Sequence, residues 1–284
     1  MENDWQEWDP NGTPELETII PKYSELPVYK TNVPYQDVDA LSWSRLGRFI
    51  LNPAYYRRNP EWKVESSGFE AGNFFHSMLL ERDKWQDVYA TFEAPVNPKT
   101  GQPYKSGAAY DKALEEFESR GLIGVPQEAF DALSEVEISL KESGLSDYLT
   151  GPFKEVPLVA EVDGVRLKGR IDVYSEKYGI VDLKTTGRLL DARSVDKMYW
   201  NCRDYGDFDE LAYFSLIVEA ETGYLPPCQI IAIQIAPPYQ VGLYEISGKT
   251  IADSIARIRE EYLPLWKDFK RNATAPFSSI MRTY

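Results

Sequence analysis

Three segments between Glu155 and Thr186 constrain the fold more than any other part of the chain. Glu155–Val162, Val165–Tyr174 and Ile180–Thr186 alternate apolar and polar residues with the period of two expected of strands. Asp163-Gly164 is a two-residue hairpin turn, and Ser175–Gly179 closes a second turn. The strands therefore form an antiparallel meander whose register the turns set. Pairing residue 162 with 165 puts Glu155 opposite Asp172, and pairing 174 with 180 puts Asp172 opposite Asp182.

That register places three carboxylates side by side. Like charges opposite one another destabilise a sheet, and a divalent cation removes that cost. Hard oxygen donors suit Mg²⁺ or Mn²⁺. Asp182 and Lys184 are two residues apart and share a strand face, while Leu183 between them points into a core. A lone Asp-x-Lys is common on exposed strands. Here Ile171, Val173, Val181 and Leu183 alternate with the polar set, which predicts one buried face and one ionic face. Two carboxylates and a lysine at this spacing can build a metal-dependent phosphodiesterase site. The cation acidifies water, and the lysine meets the charge that develops on the phosphate. Arg170 is expected to pair with Glu161 or to stay an exposed charge.

The flanking sequence reads as helices on either side of this meander. Residues 1–40 are an acidic, Pro-rich leader, expected to be extended or loosely packed, and residues 41–284 one domain. Residues 41–150 are mostly helical, with a loop at Asn97–Pro103 and a helix opened by Pro126. A helix over 207–222, strands over 229–236 and 239–246, and a terminal helix over 249–271 complete the pattern. The fold class is α/β, with a mixed central sheet between helices and a helical N-terminal part. A chain of 284 residues can bury one large core.

Several motifs then occur in a fixed order. Leu41-Ser-Trp-Ser-Arg-Leu-Gly-Arg-Phe49 is followed by Asn52-Pro-Ala-Tyr-Tyr56, Gly72-Asn-Phe-Phe-His76-Ser-Met-Leu-Leu-Glu81, the Asp172/Asp182/Lys184 set and Ala236-Pro-Pro-Tyr-Gln-Val-Gly-Leu-Tyr244. From about residue 41 to about residue 272 the chain resembles the RecE-type exonucleases (exodeoxyribonuclease VIII) of the PD-(D/E)XK nuclease superfamily, which are often phage-encoded. The resemblance implies an Mg²⁺-dependent exonuclease that degrades duplex DNA ends 5′→3′ and leaves single-stranded tails for recombination. It also implies a ring-shaped homo-oligomer and a single-strand annealing protein as partner.

Roles follow from the resemblance residue by residue. Asp172 and Asp182 would hold the metal, with the Leu183 carbonyl as a further ligand. Lys184 would stabilise the attacking water or the phosphorane. His76, the only histidine, would be another ligand or a site-shaping group. By itself it reads as a half-buried helix histidine. Glu155 would be a further acidic site residue. The family's Gln-x-x-x-Tyr helix motif would align with Asp209 and Tyr213, so that an Asp stands where the family has Gln. An ionised Asp cannot donate a hydrogen bond to substrate, which leaves open a nuclease-fold protein that binds or regulates without cutting. A one-residue shift of the alignment is the other explanation.

The formal net charge of −14 opposes nucleic-acid binding. Its distribution is uneven. Arg45, Arg48, Arg57, Arg58 and Lys63 form one basic stretch, and Lys184, Arg188, Arg193, Lys197 and Arg203 another. Trp43, Tyr55, Tyr56 and Trp62 lie beside the first, either to stack on bases or to pack in a core. Two cysteines, Cys202 and Cys228, cannot furnish a four-cysteine iron–sulfur cluster and fit a reducing cytoplasm. No apolar run reaches eighteen residues, so no membrane span is expected. The acidic start does not read as a signal peptide.

Overall fold

A computed structural model describes residues 20–61, 68–104, 106–187, 202 and 206–272. Trp62, Lys63, Arg188, Arg193, Lys197 and Arg203, named above, lie outside the described residues. The strands are β1 Leu41–Ser42, β2 Tyr89–Phe92, β3 Ile123–Pro126, β4 Lys154–Val162, β5 Val165–Ser175, β6 Gly179–Thr186, β7 Cys228–Gln234 and β8 Val241–Ile246. The helices are α1 Trp43–Leu51, α2 Pro53–Arg58, α3 Gly68–Leu80, α4 Ala108–Glu118, α5 Gln127–Glu142, α6 Ser146–Leu149, α7 Asp207–Thr222, α8 Gly248–Arg257 and α9 Leu263–Arg271.

β4, β5 and β6 are the expected meander, and the turns set the expected register. Val162 pairs with Val165 and Tyr174 with Ile180. Gly179, at φ +80°, closes the second turn where a Cβ would lie 2.3 Å from the Pro227 carbonyl oxygen. β6 runs parallel to β7, and β8 returns antiparallel at the edge. The sheet is therefore mixed, with helices on both faces. One core joins β4 and β5 to α1, α2, α7 and the terminal helices through residues such as Leu46, Phe49, Leu158, Leu167, Leu211, Ile217 and Ile255. The other joins Val173, Val181, Leu183 and Ile231 to Phe74, Phe75 and Met78 of α3 and Leu133 and Val136 of α5.

Both faces of the meander are thus covered, and the expectation of one ionic face is corrected. Ile180 belongs to one core and Val181 to the other, and β6 is buried from Gly179 through Leu183. The polar residues sit instead where the sheet splits. β5 pairs with β6 only at Val173–Ser175, and further back its same edge pairs with β1 at Leu167 and Lys168. Between those pairings β5 and β6 diverge, and Asp172 lies at the fork. A forked sheet opens a cleft without leaving an unpaired edge, since β1 fills the far side.

Residues 20–40 are more firmly held than a loose leader. Tyr29 N–H donates to the Pro157 carbonyl, and Val159 N–H donates to that of Pro27. Lys168 Nζ donates to the carbonyls of Gln36 and Val38 at 2.9 Å and of Tyr35 at 3.3 Å. The terminal helix spans 248–271 as expected, but as α8, a π-helical turn at Ile258–Tyr262, and α9. Pro264 explains the turn, because it lacks an N–H and crowds the preceding carbonyls. Tyr56 is buried against Phe49 and Trp266, and Trp43 packs on Tyr213, so these two rings are core rather than base-stacking platforms.

Candidate active site

α3 delivers His76 because it can approach β6 closely. A Cβ on Gly72 would lie 2.7 Å from Thr185 Oγ1, and one turn later comes His76. Phe74, Phe75 and Met78 are buried in the core, which fixes the helix's rotation. His76 Nε2 lies 2.9 Å from Asp172 Oδ2, and Nδ1 lies 3.3 Å from Glu155 Oε1. Glu155 Oε2 in turn lies 2.6 Å from Arg170 Nε. Arg170 therefore pairs with Glu155 and not with Glu161. Asp172 Oδ2 also accepts the Leu183 N–H at 2.8 Å, a bond that spans the fork.

Glu155 reaches this position through an unusual backbone. Its φ is +50°, in the left-handed region, in the middle of a strand. A non-glycine residue there costs on the order of 1–3 kcal/mol and is kept only where its surroundings dictate it. Burial raises the Glu155 carboxyl above its usual range, against the pull of Arg170. For His76, burial alone would lower the pKa, but the hydrogen bond and charge of Asp172, with Glu155, raise it. Burial would raise Asp172, yet His76, Lys184 and the Leu183 N–H together hold it below the usual carboxylate range.

The other half of the cleft is built by β6 and α7. Lys184 Nζ lies 2.9 Å from Glu210 Oε2, 3.0 Å from Asp182 Oδ2 and 3.6 Å from Asp207 Oδ1. Asp207 and Glu210 are three apart in the first turn of α7, so both face Lys184. Burial pushes Asp182 up to about 8; Lys184 opposes this, and Asp172, Glu210 and Asp207 add to it. Burial would lower Lys184, but its three carboxylate neighbours hold it well above the usual value. Asp182 Oδ2 is buried and accepts no hydrogen bond in spite of the nearby ammonium.

This donor set fits a divalent cation. Ligand atoms of His76, Glu155 and Asp172 lie within 4.8 Å of one another. Five carboxylates face the cleft against two permanent cations, Lys184 and Arg170, and Asp182 holds a buried oxygen without a donor. Uncompensated buried anions are costly, and a cation coordinated by oxygens relieves them.

Not every expected residue joins the cluster. Tyr213 is fully buried, and its hydroxyl donates to the Leu41 carbonyl, which ties α7 to β1. It is a packing residue. Asp209 faces away from the cleft; its carboxylate accepts from Arg257 Nη1 at 2.9 and 3.0 Å and from Tyr262 Oη at 3.3 Å. The cleft-facing position of this helix is Glu210, one residue on. Leu183 contributes its N–H to Asp172 and its side chain to the core. Asp207 and Glu210 escaped the sequence reading; their signal was the i, i+3 acidic pair opening the helix.

A forked mixed sheet that gathers acidic residues, a histidine and a lysine between α3 and α7 defines the class of PD-(D/E)XK nuclease cores. The chain belongs to that superfamily through a specific family: residues 46–279 match the PDDEXK-like domain of unknown function DUF3799. Its fold is also similar to the crystal structure of a "Putative exonuclease" from Eubacterium rectale. The TM-score is 0.53 at 18% identity, over 85% of this chain and 85% of that one. No curated protein matches the sequence.

Proposed function

We propose that this protein is a metal-dependent DNA exonuclease of the RecE type, acting in the cytoplasm on duplex ends, 5′→3′, to leave single-stranded tails. Assembly as a ring and work with a single-strand annealing protein belong to the same proposal. The observation that supports it best is the convergence of His76, Glu155 and Asp172 at the fork, across from Asp182 and Lys184. Asp172, His76 and Glu155 would hold Mg²⁺ or Mn²⁺, with Asp182 and the Leu183 carbonyl completing the set. The cation, when bound, supplies positive charge that acidifies water and neutralises the scissile phosphate.

The chain's own residues do the rest. Lys184 presents a permanent positive charge where negative charge builds in the transition state. Glu210 and Asp207 fix the direction of its ammonium. Arg170 holds Glu155, and the Leu183 N–H holds Asp172, so the ligands are oriented before substrate arrives. The case for a non-cutting protein rested on Asp209, and that residue is engaged with Arg257 and Tyr262 away from the cleft.

End-labelled linear duplex and closed circular duplex, each with Mg²⁺, Mn²⁺ or EDTA, provide the test. The expected result is digestion of linear duplex only, dependent on the cation and starting from the 5′ end. Efficient cutting of circles would replace the exonuclease reading with an endonuclease. No cleavage of either substrate would leave a binding role.

A further inference from the structure

A second feature lies well away from the cleft. α1, the β4–β5 turn and α9 enclose a concave pocket of about 490 Å³. Five cationic residues line it: Arg45, Arg166, Lys267, Lys270 and Arg271. Its acids are Asp39 and Asp163, and Asp163 is engaged by Arg259 at 3.6 Å. Arg166, Lys267, Lys270 and Arg271 have no carboxylate partner among the described residues. In a chain of net charge −14, an unneutralised cluster of this kind runs against composition. Cations in the last turn of α9 also complement that helix's carbonyls, but Arg45 and Arg166 come from other segments and gain nothing there.

We infer that this pocket binds backbone phosphates of a nucleic-acid strand, as a contact separate from the catalytic cleft. The inference rests on the nucleic-acid reading above and names a further surface for it. The floor is apolar and closed: Ala40, Leu41, Val165 and Trp266 are buried. The Trp266 ring already carries the Arg45 guanidinium at 5.3 Å and Lys270 Nζ at 6.0 Å, so no base can stack on it. What the pocket offers a ligand is charge, which recognises phosphates without regard to sequence. Arg166, Lys270 and Arg271 are exposed at the rim, which suits a polymer crossing the surface. Arg166 and Asp172 are six residues apart on β5, about 20 Å at strand rise. That distance spans roughly six nucleotide steps at 3.4 Å, so one duplex can touch both.

The test is fluorescence anisotropy of a labelled linear duplex across a salt series in EDTA, where no cleavage occurs. The triple variant Lys267→Gln/Lys270→Gln/Arg271→Gln is expected to bind about tenfold or more weakly at low salt. Its slope of log affinity against log salt should fall by about 2 to 3, the counterions of three lost contacts. Arg166→Gln, on a different element, should lower the slope by about 1, which guards against a local defect in α9. Lys141→Gln, on α5, should change neither quantity. Wild-type slope in both the triple variant and Arg166→Gln overturns the inference, as does a wild-type protein that binds no duplex. Binding with the expected slope changes but no cleavage under Mg²⁺ or Mn²⁺ supports the pocket and overturns the nuclease reading. End digestion with unchanged slopes does the reverse.

Discussion

Asp172 and Asp182 occupy equivalent places in the sequence pattern and opposite places in the electrostatics. Asp172 is wrapped by donors: His76 Nε2 at 2.9 Å and the Leu183 N–H at 2.8 Å hold it below the usual carboxylate range. Asp182 shares one ammonium with Asp207 and Glu210, keeps an oxygen without a donor, and is pushed up to about 8. One half of the cleft is complete without help, and the other half carries an excess of negative charge. Two carboxylates facing one gap need not be two equal ligands: the first is pre-set, and the second awaits positive charge.

The sharpest way to break the comparison is to remove the one cation of the second half. Lys184→Ala is expected to lower turnover by about 10²-fold or more, the scale of one lost electrostatic stabiliser, with duplex affinity in EDTA little changed. Single-turnover cleavage beside anisotropy reads both; near-normal cleavage would take Lys184 out of the mechanism.

A pH series sharpens it next. The folded-state pKa of Asp182 is raised above its unfolded value, so the folded state holds the proton longer and stability falls as pH rises from about 4 towards 8. His76 is also raised, so its contribution is full below about 6.5 and is lost as pH climbs through its folded pKa. Asp172 is lowered; its contribution holds above about 4 and is lost only in stronger acid. Melting temperature in EDTA should therefore decline between pH 5 and 9. Asp182→Asn should flatten that decline, and Mg²⁺ should restore stability most at the alkaline end. A flat profile in the metal-free wild type would refute the account of Asp182.

The rest of α7 supplies the smaller effects. Asp209→Asn should cost about 1–3 kcal/mol in urea unfolding, since Arg257 loses its carboxylate, while turnover well below the melting point stays the same. Tyr213→Phe should cost about 1 kcal/mol for one buried hydrogen bond, again with unchanged turnover. Strong loss of cleavage in either folded variant would return that residue to the site.

The sequence made the meander legible because turn chemistry sets register: Asp163-Gly164 and Gly179 leave few alternatives, and the observed pairings follow. Helix α7 was legible to the residue. The fork was not, since β1 is two residues long and its pairing with β5 is set by tertiary contacts. Nor was the left-handed backbone of Glu155, for which nothing in the sequence signals a positive φ. The cleft-facing side of α7 was misjudged because a helix buried at nearly every position from Phe208 to Val218 offers no amphipathic stripe to orient it. Asp209 and Glu210 differ by 100° of rotation, and only the packed helix decides which meets Lys184.

The Lys168 clasp has a consequence in time. Its ammonium gathers the carbonyls of Tyr35, Gln36 and Val38 from about 130 residues earlier in the chain, and Tyr174 likewise donates to the Pro21 carbonyl. Residues 20–40 are made long before the strands that receive them. At about 5–20 residues per second, that interval is roughly 7 to 26 s. During synthesis this segment, with its aromatic and apolar residues, has no surface on which to settle, and it docks only after the meander has emerged. The part of the chain that emerges first among the described residues is thus among the last to find its place.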